Sequence, residues 1–337
     1  MSTITDVAKK AGVSIATVSR YVNGKADGNM NEETKRKIDE AIRELNYEPN
    51  SIARSLKSKE TKTIGLVVPD IVNPFFPLMV RGVEDFLREN GYSVFLCNTD
   101  QNSQEELAYL KLLQARKVDG IILVGVDLPS DVVLEYIADT PFVCLERHEN
   151  TAEFDVIYSD NYQGAYDATK YLIDLGAKEI VHIAGRENSK VANLRKQAFI
   201  QCLADHEITS DPSILNGSFR LEDGYRLTME LIEQRKNIPD AIFYANDFMA
   251  FGGIRALVEK EVRIPQDISV IGYDDVIVAS LITPALTTVR QPVYEMGKNA
   301  AELLLKRIQG TVEPGKQHVL LKPELVIRNS TSMKVVQ

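Results

Sequence analysis

The 337-residue sequence is poor in the residues that usually carry catalysis or metal binding. Cys97, Cys144 and Cys202 are far apart and odd in number. They supply no metal spacing and no redox pair, and are expected as free buried thiols. His148, His182, His206 and His318 are scattered, without the spacing of metal ligands. There is no nucleophile elbow, no phosphate-cradling GxxxxGK, and no GxGxxG after a strand. Carboxylates are plentiful but pair in no diagnostic way. An enzyme reading therefore has no fingerprint, and no catalytic residue, metal or cofactor is assigned. No apolar run reaches membrane-spanning length. "MSTITDVAKKAG" lacks the apolar stretch of a secretory signal, so a cytoplasmic location is expected and the glycosylation-like triplets at Asn216 and Asn329 carry no meaning.

What is present fits a globular chain of two or three domains: 44% apolar and 26% charged residues. The net charge of −9 is unevenly spread. Residues 1–60 hold 11 basic against 9 acidic side chains, and the remainder 28 against 39. A less acidic head on an acidic body permits nucleic-acid binding by the head.

Residues 1–46 read as three short helices. The first runs from about Thr5 to Ala11 and stops at Gly12. Ser14 is a fair N-cap for a second, Ile15 to about Val22, and Asn31 for a third. Ile38, Ala41, Ile42 and Leu45 give the third its apolar stripe, and Pro49 ends it. "NSIARSLKSKETK", Asn50–Lys62, spaces Ile52, Ala53 and Leu56 as a helix of about two turns, too short to be stable alone. From Thr63 the texture becomes strand and helix in alternation. "TIGLVV", a helix Leu78–Asn90, "YSVFLC", a helix behind a Ser103/Glu106 capping box, "GIILVG" and "FVCLE" form one series. A second begins near Val156 with "VIYS" and continues through "IVHIAG", "AIFYAN" and "SVIGYDD". A helix at Val293–Gln309 and strands near Val319 and Glu324 follow. Short apolar strands separated by helices predict two parallel sheets with helices on both faces.

Two short helices joined at Gly12 make a helix-turn-helix pattern, whose second helix enters the major groove. Here that helix is "SIATVSRYVN". Ser14, Thr17 and Ser19 suit phosphate oxygens, Arg20 can pair bidentately with guanine, and Ile15 and Ala16 can meet a thymine methyl. A plain helical bundle with solvated hydroxyls fits the same residues. "TITDVAKKAGVSIATVSRYVNG", "NEETKRKIDEAIRELNYEPNSIARSLKS", "TKTIGLVVPDIVNPFF", "VDGIILVG", "ANDFMAFG", "IPQDISVIGYDD" and "TPALTTVRQPVYEMGKNAAELLL", in that order, resemble the lactose-repressor/galactose-repressor family of bacterial transcription regulators. The resemblance spans nearly the whole chain. It implies a helix-turn-helix head (1–48), a hinge helix and linker (49–62), and a body (63–337) for ligand binding and dimerisation. The body would hold two subdomains of the periplasmic-binding-protein type, 63–160 plus 292–322 and 161–291 plus 323–337.

The resemblance further implies a homodimer on a near-palindromic operator. Ile15, Ala16 and Arg20 would read bases, with Arg20 dominant, and Ser14, Thr17 and Asn23 would lie near phosphates. Leu56 matches the family's minor-groove wedge, with Arg54 and Lys57 beside it. "NGKADGNMNEET" is about two residues longer than in many relatives. "RNSTSMKVVQ" has no leucine heptads, so a dimer without a zipper is expected, and nothing points to the protein co-effector some relatives use.

In open parallel sheets, ligands sit beyond the carboxyl ends of the strands. Those ends supply Asp70, Asn73, Phe75, Phe76, Glu146, Arg147, Asn246, Asp247, Asp274 and Asp275. Carboxylates and amides suit sugar hydroxyls, and aromatic faces suit the C–H side of the ring. With the resemblance, the expected effector contacts are Asn73, Phe75, Phe76, Glu146, Arg147, Arg195, Phe219, Asn246, Asp274 and Gln291. Other roles stay open: Asp247 as a helix cap, either phenylalanine as core, Asp275 as a turn holder. Glu146 stands where ribose-type relatives have aspartate. Arg147, Arg195 and Arg220 can also meet an anionic ligand, unless Arg220 is merely solvated. The resulting expectation is a repressor of carbohydrate-utilisation genes whose operator affinity follows a small sugar-like effector. A cytoplasmic sugar-binding protein without a DNA role is the alternative.

Overall fold

The computed structural model describes residues 2–22, 30–48, 60–125, 128–137, 139–146, 153–208, 212–235 and 237–333. The chain forms two compact units, Met1–Thr61 and Lys62–Gln337.

In the first unit, α1 spans Ile4–Ala11, α2 Ile15–Val22 and α3 Glu32–Glu44. Thr3 caps α1 in a reciprocal box with Asp6, so the helix starts one residue earlier than its apolar spacing indicates. Gly12, at φ +66°, ends it. Ser14 Oγ accepts from Thr17 N (3.1 Å), and Asn31 Oδ1 from Thr34 N (2.8 Å). Val7, Val18 and Ile38 are fully buried where the three helices meet.

The second unit holds two parallel sheets. The first contains β1 (Thr63–Val68), β2 (Ser93–Asn98), β3 (Gly120–Val124), β4 (Phe142–Leu145), β5 (Val156–Ser159) and β11 (His318–Leu321), in the order β11-β5-β4-β3-β1-β2. The second contains β6 (Ile180–Ala184), β7 (Ser213–Asn216), β8 (Ala241–Tyr244) and β9 (Ser269–Ile271), ordered β7-β6-β8-β9. An antiparallel pair, β10 (Thr288–Arg290) and β12 (Glu324–Val326), completes the strands. Thus β5 opens the second series along the chain yet pairs within the first sheet.

The helices are α4 (Phe75–Glu89), α5 (Ser103–Arg116), α6 (Ser130–Ile137), α7 (Asn161–Asp174), α8 (Lys190–Asp205), α9 (Leu221–Gln234), α10 (Asp247–Glu259) and α11 (Val293–Gln309). Three differ from the sequence reading. α4 begins at Phe75 rather than Leu78, because Pro74 at its N-cap already has helical backbone angles. α5 is capped by Asn102, whose Oδ1 accepts from Gln104 N, rather than by a Ser103/Glu106 box. α6 was not anticipated between "GIILVG" and "FVCLE".

Among the described residues, two helix crossings, one against each parallel sheet, are built on reciprocal glycines. Gly82 on α4 faces the Tyr294 carbonyl, while Gly297 on α11 faces that of Met79. Gly224 on α9 faces the Met249 carbonyl, while Gly252 on α10 faces that of Leu221. A Cβ at any of the four would overlap backbone oxygen, so these contacts demand glycine.

The three cysteines are free and buried, and burial raises the Cys97 and Cys202 thiols to about 11 and about 12. His182 is fully buried in β6, its Nδ1 2.9 Å from the Phe243 carbonyl. Burial lowers its pKa to about 4 from 6.5. The folded protein therefore refuses a proton that the unfolded chain accepts. Stability is expected to be intact above pH 6.5 and to fall as pH drops toward 4. The loss should approach about 3 kcal/mol. Urea melts across this range should show it, and His182→Phe should flatten it.

No helix among the described residues is long and apolar enough to cross a membrane.

Candidate functional site

Two surfaces gather the residues singled out above. On the head, α2 buries Val18 and leaves its other side open. Ser14, Ile15, Ala16 and Arg20 are exposed, and Thr17 is half-buried. Ile15 is 48% exposed at the start of the helix, an apolar side chain left half open to solvent. Ser14 and Thr17 share a hydroxyl hydrogen bond of 2.8 Å. Tyr21 OH donates to Asp39 (2.7 Å), tying α2 to α3 from its far side. The orientation suits a recognition helix, with Arg20 one turn from Ala16 on the open face. Asn23, Arg54, Leu56 and Lys57, with most of the expected hinge helix, lie outside the described residues.

In the body, a cavity of about 150 Å³ is lined by residues following strands of both sheets. Asn73, Phe75, Phe76, Glu146, Arg195, Phe219, Asn246 and Asp274 all reach its wall. Arg147 lies outside the described residues. Gln291 does not line the wall; it is buried and donates from Nε2 to Asp274 Oδ1 (2.7 Å). Arg220 is exposed away from the wall.

The aromatic share is set by backbone. Phe75 and Phe76 occupy the first turn of α4, edge to face at 5.1 Å between ring centres. Asn73 Oδ1 accepts from Phe75 N (3.1 Å) and holds that turn. Phe219 adopts φ +69°, unusual for a bulky residue, and its carbonyl accepts from Asn246 Nδ2 (3.2 Å). Its ring lies against Gly185, where a side chain would collide with it. Of the eleven non-glycine residues with positive φ among the described residues, Gln101, Glu146, Phe219 and Asp274 line this one cavity. Backbone strain thus concentrates where side chains must be aimed rather than packed.

The polar share is a continuous network. Glu146, just past β4, accepts from Ser159 N (2.7 Å) and Asn161 Nδ2 (2.8 Å). Arg195, 3% exposed on α8, donates from Nε (2.9 Å) and Nη2 (2.7 Å) to Asn161 Oδ1, and from Nη1 to the Ala245 carbonyl. Its guanidinium stacks 3.6 Å from the centre of the Tyr273 ring. Arg195 Nη2 lies 3.9 Å from Asp274 Oδ1. Burial lifts the Asp274 carboxyl to about 7, against the opposing pull of Arg195. Near neutrality Asp274 can therefore either accept from or donate to a ligand.

Neighbouring residues have structural roles. Asn246, not Asp247, caps α10, its Oδ1 accepting from Met249 N (2.9 Å). Asp247 is fully buried, accepts from Val276 N (2.9 Å) and Thr288 Oγ1 (2.5 Å), and has its pKa raised by burial and by Asp274. Asp275 binds Arg290 and Arg328, holding a turn. Asp70 Oδ1 accepts from Val72 N.

Sequence reasoning missed Pro69, Gln101, Val124 and Gly125 around the first sheet, and one whole wall segment beside the second. Arg186, Asn188, Ser189, Lys190 and Val191 follow β6 and open α8. The strand-end rule, applied after "IVHIAG", would have reached them. Among the described residues, no group of three or more His, Cys, Asp or Glu could hold a metal ion.

Comparison with known proteins decides the lineage. Residues 3–50 match the model of bacterial regulatory proteins, lacI family, and residues 169–331 that of a periplasmic binding protein-like domain. The HTH-type transcriptional repressor PurR of Histophilus somni is 38% identical over 335 residues, spanning 98% of this chain and 99% of its own. The chain belongs to the lacI family. Among solved structures, the lac repressor dimer bound to operator and the anti-inducer ONPF aligns at TM-score 0.89 and 29% identity, over 98% of this chain and 99% of that one. A LacI family transcriptional regulator from Enterococcus faecium, with bound ribose, aligns at TM-score 0.74 and 34% identity, over 81% and 100%. The helix-turn-helix head and the two parallel sheets of this lacI-family chain thus have the architecture that the sequence motifs imply.

Proposed function

We propose that this lacI-family chain is a homodimeric, operator-binding repressor of carbohydrate-utilisation genes, controlled by one small sugar-like effector in the body cavity. The observation carrying this reading is the wall itself. A carboxylate of each lobe and a buried guanidinium face the same small space as three phenylalanine rings. That combination meets a ring with hydroxyls on its edge and C–H bonds on its face. On the head, Arg20 would pair with a guanine while Ile15 and Ala16 contribute apolar contact. Arg54, Leu56 and Lys57 would act from the minor groove, Leu56 as a wedge. A two-fold dimer would match a palindromic operator.

The sheet memberships support lobes of 63–160 plus 292–322 and 161–291 plus 323–337. Effector binding would change the angle between them, and DNA affinity with it, because the effector binds the two arrangements unequally. The exposed head and its family match favour this over a sugar-binding protein without a DNA role.

A cavity near 150 Å³ holds about one six-membered ring. Monosaccharides such as D-ribose are therefore expected to bind at least about tenfold more tightly than disaccharides, since a missing contact or a clash of 1.4 kcal/mol has that effect. Titration calorimetry with both classes, plus a nucleobase, checks this. Fluorescence anisotropy with operator-like palindromes, with and without the sugar, tests the coupling. Absence of sequence-selective DNA binding in every ligand state would sink the repressor reading.

A further inference from the structure

Asn161 is absent from the cavity wall, yet it joins the wall's charged groups. It is the first residue of α7, on the segment that leaves the first sheet for the second, and is 1% exposed. Its Nδ2 donates to Glu146 Oε2 (2.8 Å) and to the Ser159 carbonyl (3.1 Å). Its Oδ1 accepts from both Nε (2.9 Å) and Nη2 (2.7 Å) of Arg195. A carboxylate offers only acceptors and a guanidinium only donors, so one orientation of the amide alone satisfies both. Aspartate has no donor for Glu146 when ionised, and an apolar side chain of the same shape has neither group.

The partners belong to different lobes. Glu146 follows β4 of the first sheet, whereas α8, which carries Arg195, packs through Phe199 and Ala198 in the core of the second. We propose that Asn161 is the positioning residue of the effector site, its single buried amide fixing the Glu146 carboxylate of one lobe against the Arg195 guanidinium of the other. The ligand then meets both groups at a spacing set before it arrives, and a change in lobe angle must pass through this amide. The inference rests on the cavity being the effector site.

Asn161→Asp tests it with the shape preserved. The groups facing the new carboxyl are Glu146 from the end of β4 and Arg195 from α8, with Asp274 beyond Arg195. At about pH 8 the variant sets two carboxylates side by side and melts below wild type; at about pH 5.5 one proton restores a donor toward Glu146, and the gap narrows. With D-ribose as the calorimetric probe, affinity is expected to fall at least about tenfold at the higher pH and to recover to within about threefold of wild type at the lower one, a shift of about one pKa unit in coupling.

A purely structural role would instead lower the melting temperature equally at both pH values. That equal gap, or wild-type ribose affinity at the higher pH, overturns the proposal. If D-ribose fails to bind wild type, the ligand class assigned above is at fault. The pH dependence of the melting gap in the unliganded full chain then still decides the role of the amide.

Discussion

Asp155→Ala is expected to lower the unfolding free energy by about 3 kcal/mol, the lower end of the usual cost of breaking a buried ion pair, because the carboxylate is buried while Arg307 keeps some contact with water. Asp155 immediately precedes β5 and is 1% exposed. Arg307, in the last turn of α11, reaches it with two parallel bonds of 2.7 Å, from Nε and from Nη2. The same carboxylate accepts from Gln317 N (2.8 Å), just before β11. One side chain therefore secures a strand, a helix end and the approach to the edge strand of the first sheet. Alanine would leave the Gln317 N–H without this acceptor and take both carboxylate bonds from Arg307, whose Nη2 keeps the Gly315 carbonyl. Asp155→Asn keeps acceptor capacity and should lose less. Asp155→Leu combined with Arg307→Met should also lose less than Asp155→Ala, because it removes both charges at once. Urea denaturation of the three variants checks the order. A loss below about 1 kcal/mol for Asp155→Ala would mean that water screens the pair as it does surface pairs.

This interaction matters for the site because β5 carries Ser159, whose N–H donates to Glu146. A frayed β5 would loosen the floor of the cavity as well as the sheet.

The first sheet was legible where strands are continuous apolar runs. β1 and β3 each lie under helices on both faces, and every residue of β3 is buried. β7 was not legible: "SILN" is short, and none of its residues is fully buried, so its pattern resembles a loop. β10, three residues long, gave no pattern at all. The placement of β5 was illegible in the local pattern and came only from the family resemblance, which groups 63–160 with 292–322. Its neighbours are β4 and β11, the latter more than 150 residues away, and no local periodicity encodes such a partnership.

The cavity divided in the same way. Asn73, Glu146, Asn246 and Asp274 could be found because the carboxyl ends of strands are local features. Phe219 needed a family resemblance, since nothing in "GSFRLED" announces a ring held at positive φ over Gly185. Asn161 escaped both routes. Its importance lies in partners 15 and 34 positions away, and it looks in sequence like an ordinary residue at a helix start.

Arg195→Met is expected to weaken effector binding by at least about 100-fold, in line with roughly 3 kcal/mol for removing one member of a desolvated, hydrogen-bonded charge network. The side chain volume is nearly kept, but every polar contact is lost. Asn161 Oδ1 loses both donors, and the Ala245 carbonyl loses the one from Nη1. Asp274 changes as well. Its carboxyl already sits at about 7 because of burial, and Arg195 is the largest influence holding it down. Without that cation it should stay protonated well above neutrality.

The two proteins should therefore differ in pH profile as well as in strength. In wild type, hydroxyl donors of the ligand favour the ionised carboxylate, so affinity should rise as pH climbs through about 7. In Arg195→Met that rise should move to higher pH. Calorimetric titration across this range measures both effects at once. An affinity near wild type at neutral pH would remove Arg195 from the site. A weakened affinity with an unmoved profile would instead separate Arg195 from Asp274, and the 3.9 Å between them would be proximity without coupling.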